Sequence, residues 1–111
     1  MASSRDYLGF ILDQLSGLEG LSFRPMMGEY LLYLDGRLFG GIYDDRLLVK
    51  PVPAALALLP DAPRELPYEG AREMLLVESV DDAAFLKELV GAMWAELPAP
   101  KKRPRRAEEK P

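Results

Sequence analysis

Residues 24–51, RPMMGEYLLYLDGRLFGGIYDDRLLVKP, decide the fold of this chain. Two turn signals, Asp35-Gly36 and Asp44-Asp45, divide them into three apolar runs. A type I′ hairpin turn needs positive φ at both central positions, and Asp-Gly accepts this at low cost. Three consecutive antiparallel strands are therefore predicted. A two-residue loop at Asp35-Gly36 sets Leu34 against Arg37, Tyr33 against Leu38, Leu32 against Phe39 and Tyr30 against Gly41. The second loop sets Tyr43 against Arg46, Ile42 against Leu47 and Gly40 against Val49. Alternation then sorts the side chains into two faces. One holds Leu31, Tyr33, Leu38, Ile42, Leu47 and Val49, with Glu29 at its end, and is the expected core face. The other holds Tyr30, Leu32, Leu34, Phe39, Tyr43 and Leu48, fringed by Arg37, Arg46 and Lys50. A bulge at Gly40-Gly41 would exchange part of this assignment.

Upstream, Ser3 or Ser4 can cap a first helix with Asp6 in its first turn. Leu8, Ile11, Leu12, Leu15 and Leu18 form its apolar stripe, and Gly17 and Gly20 stop it. LSFRPMMG then leads into the sheet as a short strand interrupted by Pro25. Downstream, Pro53 opens a short helix that ends before Pro60. Residues 61–71 read as loop, with a weak edge strand at 65–68, and residues 73–79 read as a strand. Ser79 or Asp81 caps a last helix whose stripe is Phe85, Leu86, Leu89, Val90, Met93, Trp94 and Leu97. Trp94 is expected to fill core or interface. The order α-β-β-β-α-(β)-β-α describes an α+β fold, a two-layer domain with helices flanking an antiparallel sheet.

Composition narrows the chemistry. The 111 residues make one domain, and 49% hydrophobic content suffices for a core. Cysteine and histidine are both absent, which removes thiolate nucleophiles, Cys/His zinc sites and the imidazole base. No apolar run approaches the ~20 residues that span a bilayer. Asp6 falls where a signal peptide would carry its apolar centre, so a cytoplasmic protein is expected. Residues 1–98 carry 8 Lys/Arg against 16 Asp/Glu, while residues 99–111 carry 6 against 2. The body, domain 1–98, is thus acidic. Residues 99–111 are expected to be a disordered basic tail.

The phrases MMGEYLLYLDGRLFGGIYDDRLLVKP and LPYEGAREMLLV, with the final helix, resemble the TfoX/Sxy family in its N-terminal domain. The resemblance covers residues 5–97 and is most specific at Met27-Gly28, at 33–36 and from Asp45-Arg46-Leu47 through Lys50. The family's usual Met-Phe-Gly-Gly segment stands here as Met26-Met27-Gly28-Glu29. The resemblance implies an antiparallel sheet flanked by helices in a cytoplasmic bacterial protein, and its named members regulate DNA-uptake competence. It transfers no catalytic residues.

Candidate sites follow. Glu29, Asp35, Asp44, Asp45, Glu69, Glu73 and Glu78 could supply a carboxylate pair or a hard-metal site, but Asp44-Asp45 reads first as a turn. Gly28, Gly40 and Gly41 lack the spacing of a phosphate loop, so room for large neighbours or a bulge is the better reading. The serines sit in no nucleophile context. We expect no catalytic residue, no cofactor and no metal. The second sheet face, Tyr30, Leu32, Leu34, Phe39, Tyr43 and Leu48, is the candidate protein-interaction face, for a homodimer or for another regulatory protein. Lys101, Lys102, Arg103, Arg105 and Arg106 are the candidate nucleic-acid contact. With no aromatic for stacking, their binding would be sequence-independent. A regulatory interaction module is the leading expectation, a nucleic-acid-associated protein the second, and a small-ligand binder or enzyme the third. No membrane partner is expected.

Overall fold

The computed structural model describes residues 4–98. Helix α1 (Arg5–Gln14) starts where Ser4 Oγ accepts from the Tyr7 amide at 3.0 Å. Four strands follow: β1 (Leu21–Met26), β2 (Glu29–Leu34), β3 (Arg37–Tyr43) and β4 (Arg46–Val49). The short helix α2 (Pro53–Leu58), β5 (Arg64–Glu65) and β6 (Met74–Leu76) come next. The helix α3 (Ala83–Met93) then tightens into a 3-10 turn, Trp94–Glu96. All six strands form one antiparallel sheet in the order β1-β2-β3-β4-β6-β5.

The three hairpins of the first four strands turn on residue pairs with positive φ. Asp35-Gly36 has φ of 54° and 80°, and Asp44-Asp45 has 55° at both. Met27-Gly28 repeats the pattern with 52° and 87°, so the lead-in segment is a full strand paired with β2. Pro25 does not interrupt it. It sits in β1 opposite Tyr30, on a strand with only one neighbour.

Register across the β3–β4 turn is as expected, with Tyr43 opposite Arg46, Ile42 opposite Leu47 and Gly40 opposite Val49. Across the β2–β3 turn it holds for Leu34–Arg37 and Tyr33–Leu38, then slips. Leu32 pairs with Gly40 rather than Phe39, and Tyr30 with Ile42 rather than Gly41. The bulge lies one residue earlier than Gly40-Gly41. Phe39 and Gly40 together oppose one residue of β2, which puts both on one side and shifts the alternation by one step. Gly40 has to be glycine, because a Cβ there would lie 2.2 Å from the Leu48 carbonyl oxygen.

That slip inverts half of the expected faces. Leu32, Leu34 and Phe39 join Ile42, Leu47 and Val49 in the core. All three helices pack on this side through Leu8, Ile11, Ala55, Leu86, Leu89 and Met93. Arg37 moves with them. It donates to the carbonyls of Leu97 at 3.0 Å and Trp94 at 3.3 Å, and its guanidinium lies 4.2 Å from the centroid of the Trp94 ring. Trp94 therefore packs against the core from the helix side, closing the end of α3. The start of α3 is capped by Asp82, whose carboxylate accepts from the Phe85 amide at 3.1 Å, not by Ser79 or Asp81.

Candidate functional site: the sheet face without helices

With the helices on one side, the other side of the sheet is built from the residues that alternate with the core. They include Leu31, Tyr33, Leu38, Tyr43, Leu48 and Lys50, with Arg24 opposite Leu31 and Arg46 opposite Tyr43. Tyr43 and Leu48 are 4% and 0% exposed, yet neither belongs to the helix-side cluster. The Tyr43 ring folds back along its own strand over Gly41, where a Cβ would come within 2.7 Å of it. Tyr68, from the segment between β5 and β6, leans on Tyr43 with ring centroids 6.2 Å apart and remains 55% exposed. Leu31, Tyr33, Leu38 and Lys50 are half-buried.

Phenol groups gather at one end of this face. Burial first, then Tyr68, Glu29 and Tyr33, push the Tyr43 hydroxyl up to about 12. Each neighbour opposes a phenolate, so the group stays a neutral donor. Beside it Arg46 pairs with Glu65 and donates Nε–H to the Tyr43 carbonyl at 3.0 Å. At the other end stands Lys50, whose amine burial pushes down. The arrangement offers hydroxyl donors, one ammonium and aliphatic area, the mixture of groups that interface cores favour.

The six residues expected to form one interaction face are divided. Leu32, Leu34 and Phe39 lie in the helix-side core, and half-buried Tyr30 packs against that core with its ring edge-on to Phe23 at 5.9 Å. Only Tyr43 and Leu48 lie on the open side, and they are buried there. Leu31, Tyr33 and Leu38, assigned to the core by simple alternation, take their places. Tyr68 and Lys50 were not singled out. Alternation already puts Lys50 on the fringe of the face with Tyr43 and Leu48, where it stays, while the approach of Tyr68 depends on a loop path that no periodicity encodes.

Two of the acidic candidates, Glu29 and Asp45, hold main-chain amides of the fold. The Asp44 amide donates to Glu29 Oε1 at 3.1 Å, tying the β3–β4 turn to the start of β2. Asp45 Oδ1 accepts from the Ser4 amide at 2.8 Å, which fixes the first helix to the same turn. No group of three acidic side chains among the described residues could hold a metal ion. A cleft of about 380 Å³ between the end of α2 and the start of α3 presents Asp61, Glu78 and Asp82 beside Leu58 and Phe85. No described helix is long and apolar enough to cross a membrane. Lys101, Lys102, Arg103, Arg105 and Arg106 lie outside the described residues.

Comparison with known proteins gives no matching solved structure. An uncharacterized 12.7 kDa protein in the trpE 5' region of Spirochaeta aurantia is 33% identical over 111 residues, covering 99% of this chain and 95% of that protein. The family model of the TfoX N-terminal domain matches residues 13–96. That match begins within α1, takes in every strand and ends with the 3-10 turn, and so the chain belongs to the TfoX N-terminal domain family.

Proposed function

We propose that this chain is a non-enzymatic interaction module of a regulatory system in the bacterial cytoplasm, and that the helix-free sheet face is its contact surface. One observation carries the reading. Leu31, Tyr33, Leu38 and the exposed Tyr68 leave tyrosine and leucine surface open on the side that no helix covers. Partly exposed apolar and tyrosine side chains on an uncovered sheet face support a contact site, and tyrosine contributes area at low entropic cost. The occupant is a second copy of the chain or another regulatory protein. A part in transcriptional or competence control belongs to the proposal through the family alone.

Sedimentation of the full chain and of Leu38→Asp up to millimolar concentration tests self-association. A dimer lost in the variant supports the face as a homodimer surface. A monomer throughout, with Leu38→Asp neutral for solubility, removes the self-association arm and counts against the face itself. A second reading, nucleic-acid association through residues 101–106, is favoured by the segregation of charge between body and tail. It requires duplex binding with a log–log salt slope near about −4.5 that disappears in a 1–98 truncation.

A further inference from the structure

Lys50 is the cation that the fold half-buries on this face without a counter-charge among the described residues. Its amide donates to the Phe39 carbonyl at 2.9 Å, so the ladder runs one residue beyond β4 and alternation keeps Lys50 on the side of Leu48. Its side chain is half-buried, and among the described residues it pairs with no carboxylate. Of the other cations on the face, Arg46 is already engaged by Glu65 and the Tyr43 carbonyl, and Arg24, opposite Leu31 on the rim strand, is exposed to water. Burial is what lowers the amine, and no acidic neighbour offsets it. A desolvated ammonium without an opposite charge is costly. Carboxylates are not scarce either, since residues 1–98 hold 16 of them against 8 cations. The unpaired Lys50 ammonium therefore suits a carboxylate from outside the fold.

We infer that the helix-free face takes an acidic protein segment, in which one Asp or Glu flanked by apolar residues seats on Lys50 while its neighbours lie over Leu31 and Leu38. This rests on the contact surface proposed above and names the chemistry of its occupant. The half-buried ammonium among aliphatic groups matches one carboxylate. It does not match a polyanion, which the net charge of −8 over residues 1–98 would also repel.

The test is a displayed library of random 12-residue peptides, panned in parallel on the full chain and on the Lys50→Met, Lys50→Arg and Tyr68→Ala variants. Lys50→Met keeps most of the aliphatic stem, and a thermal melt of each variant checks that it folds. The expected pool on the full chain carries Asp or Glu between apolar residues. Its members should bind Lys50→Met at least tenfold more weakly, with Lys50→Arg retaining most of the affinity. Asn or Gln twins of the same peptides should lose tenfold on the full chain and nothing further on Lys50→Met. Equal binding to Lys50→Met, a pool without acidic residues, or no enriched pool overturns the inference. If Tyr68→Ala weakens every peptide while Lys50→Met is neutral, the face survives as a contact surface and only its acidic occupant is lost. If neither variant matters, both proposals fall.

Discussion

Gly40 is held between two strands. A methyl group there would meet the Leu48 carbonyl oxygen at 2.2 Å and the Val49 Cα at 2.9 Å, and a backbone cannot swing aside as a side chain can. Gly40→Ala should therefore destabilise by about 2–3 kcal/mol, read as a lower urea midpoint at unchanged slope. Tyr43 gives a second prediction at this scale. Its hydroxyl stands at about 12 against an ordinary 10.0, so the fold favours the neutral phenol. For a group raised in the folded state, its contribution is complete below pH 10 and is lost as pH rises through about 12. Tyr43→Phe has nothing to ionise there. Melting temperatures recorded across that window should fall less steeply for the variant than for the parent chain, and parallel curves would show that Tyr43 does not govern the alkaline limb.

Among the elements, the hairpins were readable in proportion to their turn residues. Asp35-Gly36 and Asp44-Asp45 announce themselves because Asp and Gly accept positive φ. Met27-Gly28 makes the same turn with a side chain that is 97% exposed and ill suited to φ of 52°, so β1 could be seen only as a lead-in. The start of α3 shows a finer limit. Ser79, Asp81 and Asp82 all carry capping oxygens, and composition cannot choose among neighbours. Geometry gives the role to Asp82. Asp82→Ala should cost about 1 kcal/mol in thermal or urea unfolding, while Asp81→Ala stays near neutral. The reverse ranking would place the cap one residue earlier.

At the scale of the whole molecule, the two-layer plan was legible because helical and strand periodicities differ so plainly along the chain. Which face met the helices was not. A bulge changes no residue type and leaves both hairpin turns intact, yet it exchanged Leu32, Leu34 and Phe39 for Leu31, Tyr33 and Leu38. The candidate contact surface moved with that exchange, so an error of one residue in register misplaced four of the six side chains offered to a partner, Tyr30, Leu32, Leu34 and Phe39. Once the bulge is placed, the membership of the open face follows from alternation alone.

The rim of the sheet has its own consequence. Met26 and Glu29 flank a two-residue turn and so form the hydrogen-bonded pair, which leaves the main-chain groups of the next β1 residue, Pro25, facing the outer border while those of Tyr30 face β3. Proline places no amide on that border. Pro25→Thr would restore a donor to a long free edge, and agitated samples of the variant should form thioflavin-positive aggregate sooner than the parent. An equal lag would show that the border is guarded by something else. The opposite border is only Arg64–Glu65, too short to template a foreign chain. With a donor missing from one margin and only two residues on the other, addition of a strand is disfavoured at both, and a partner is better received broadside on the sheet.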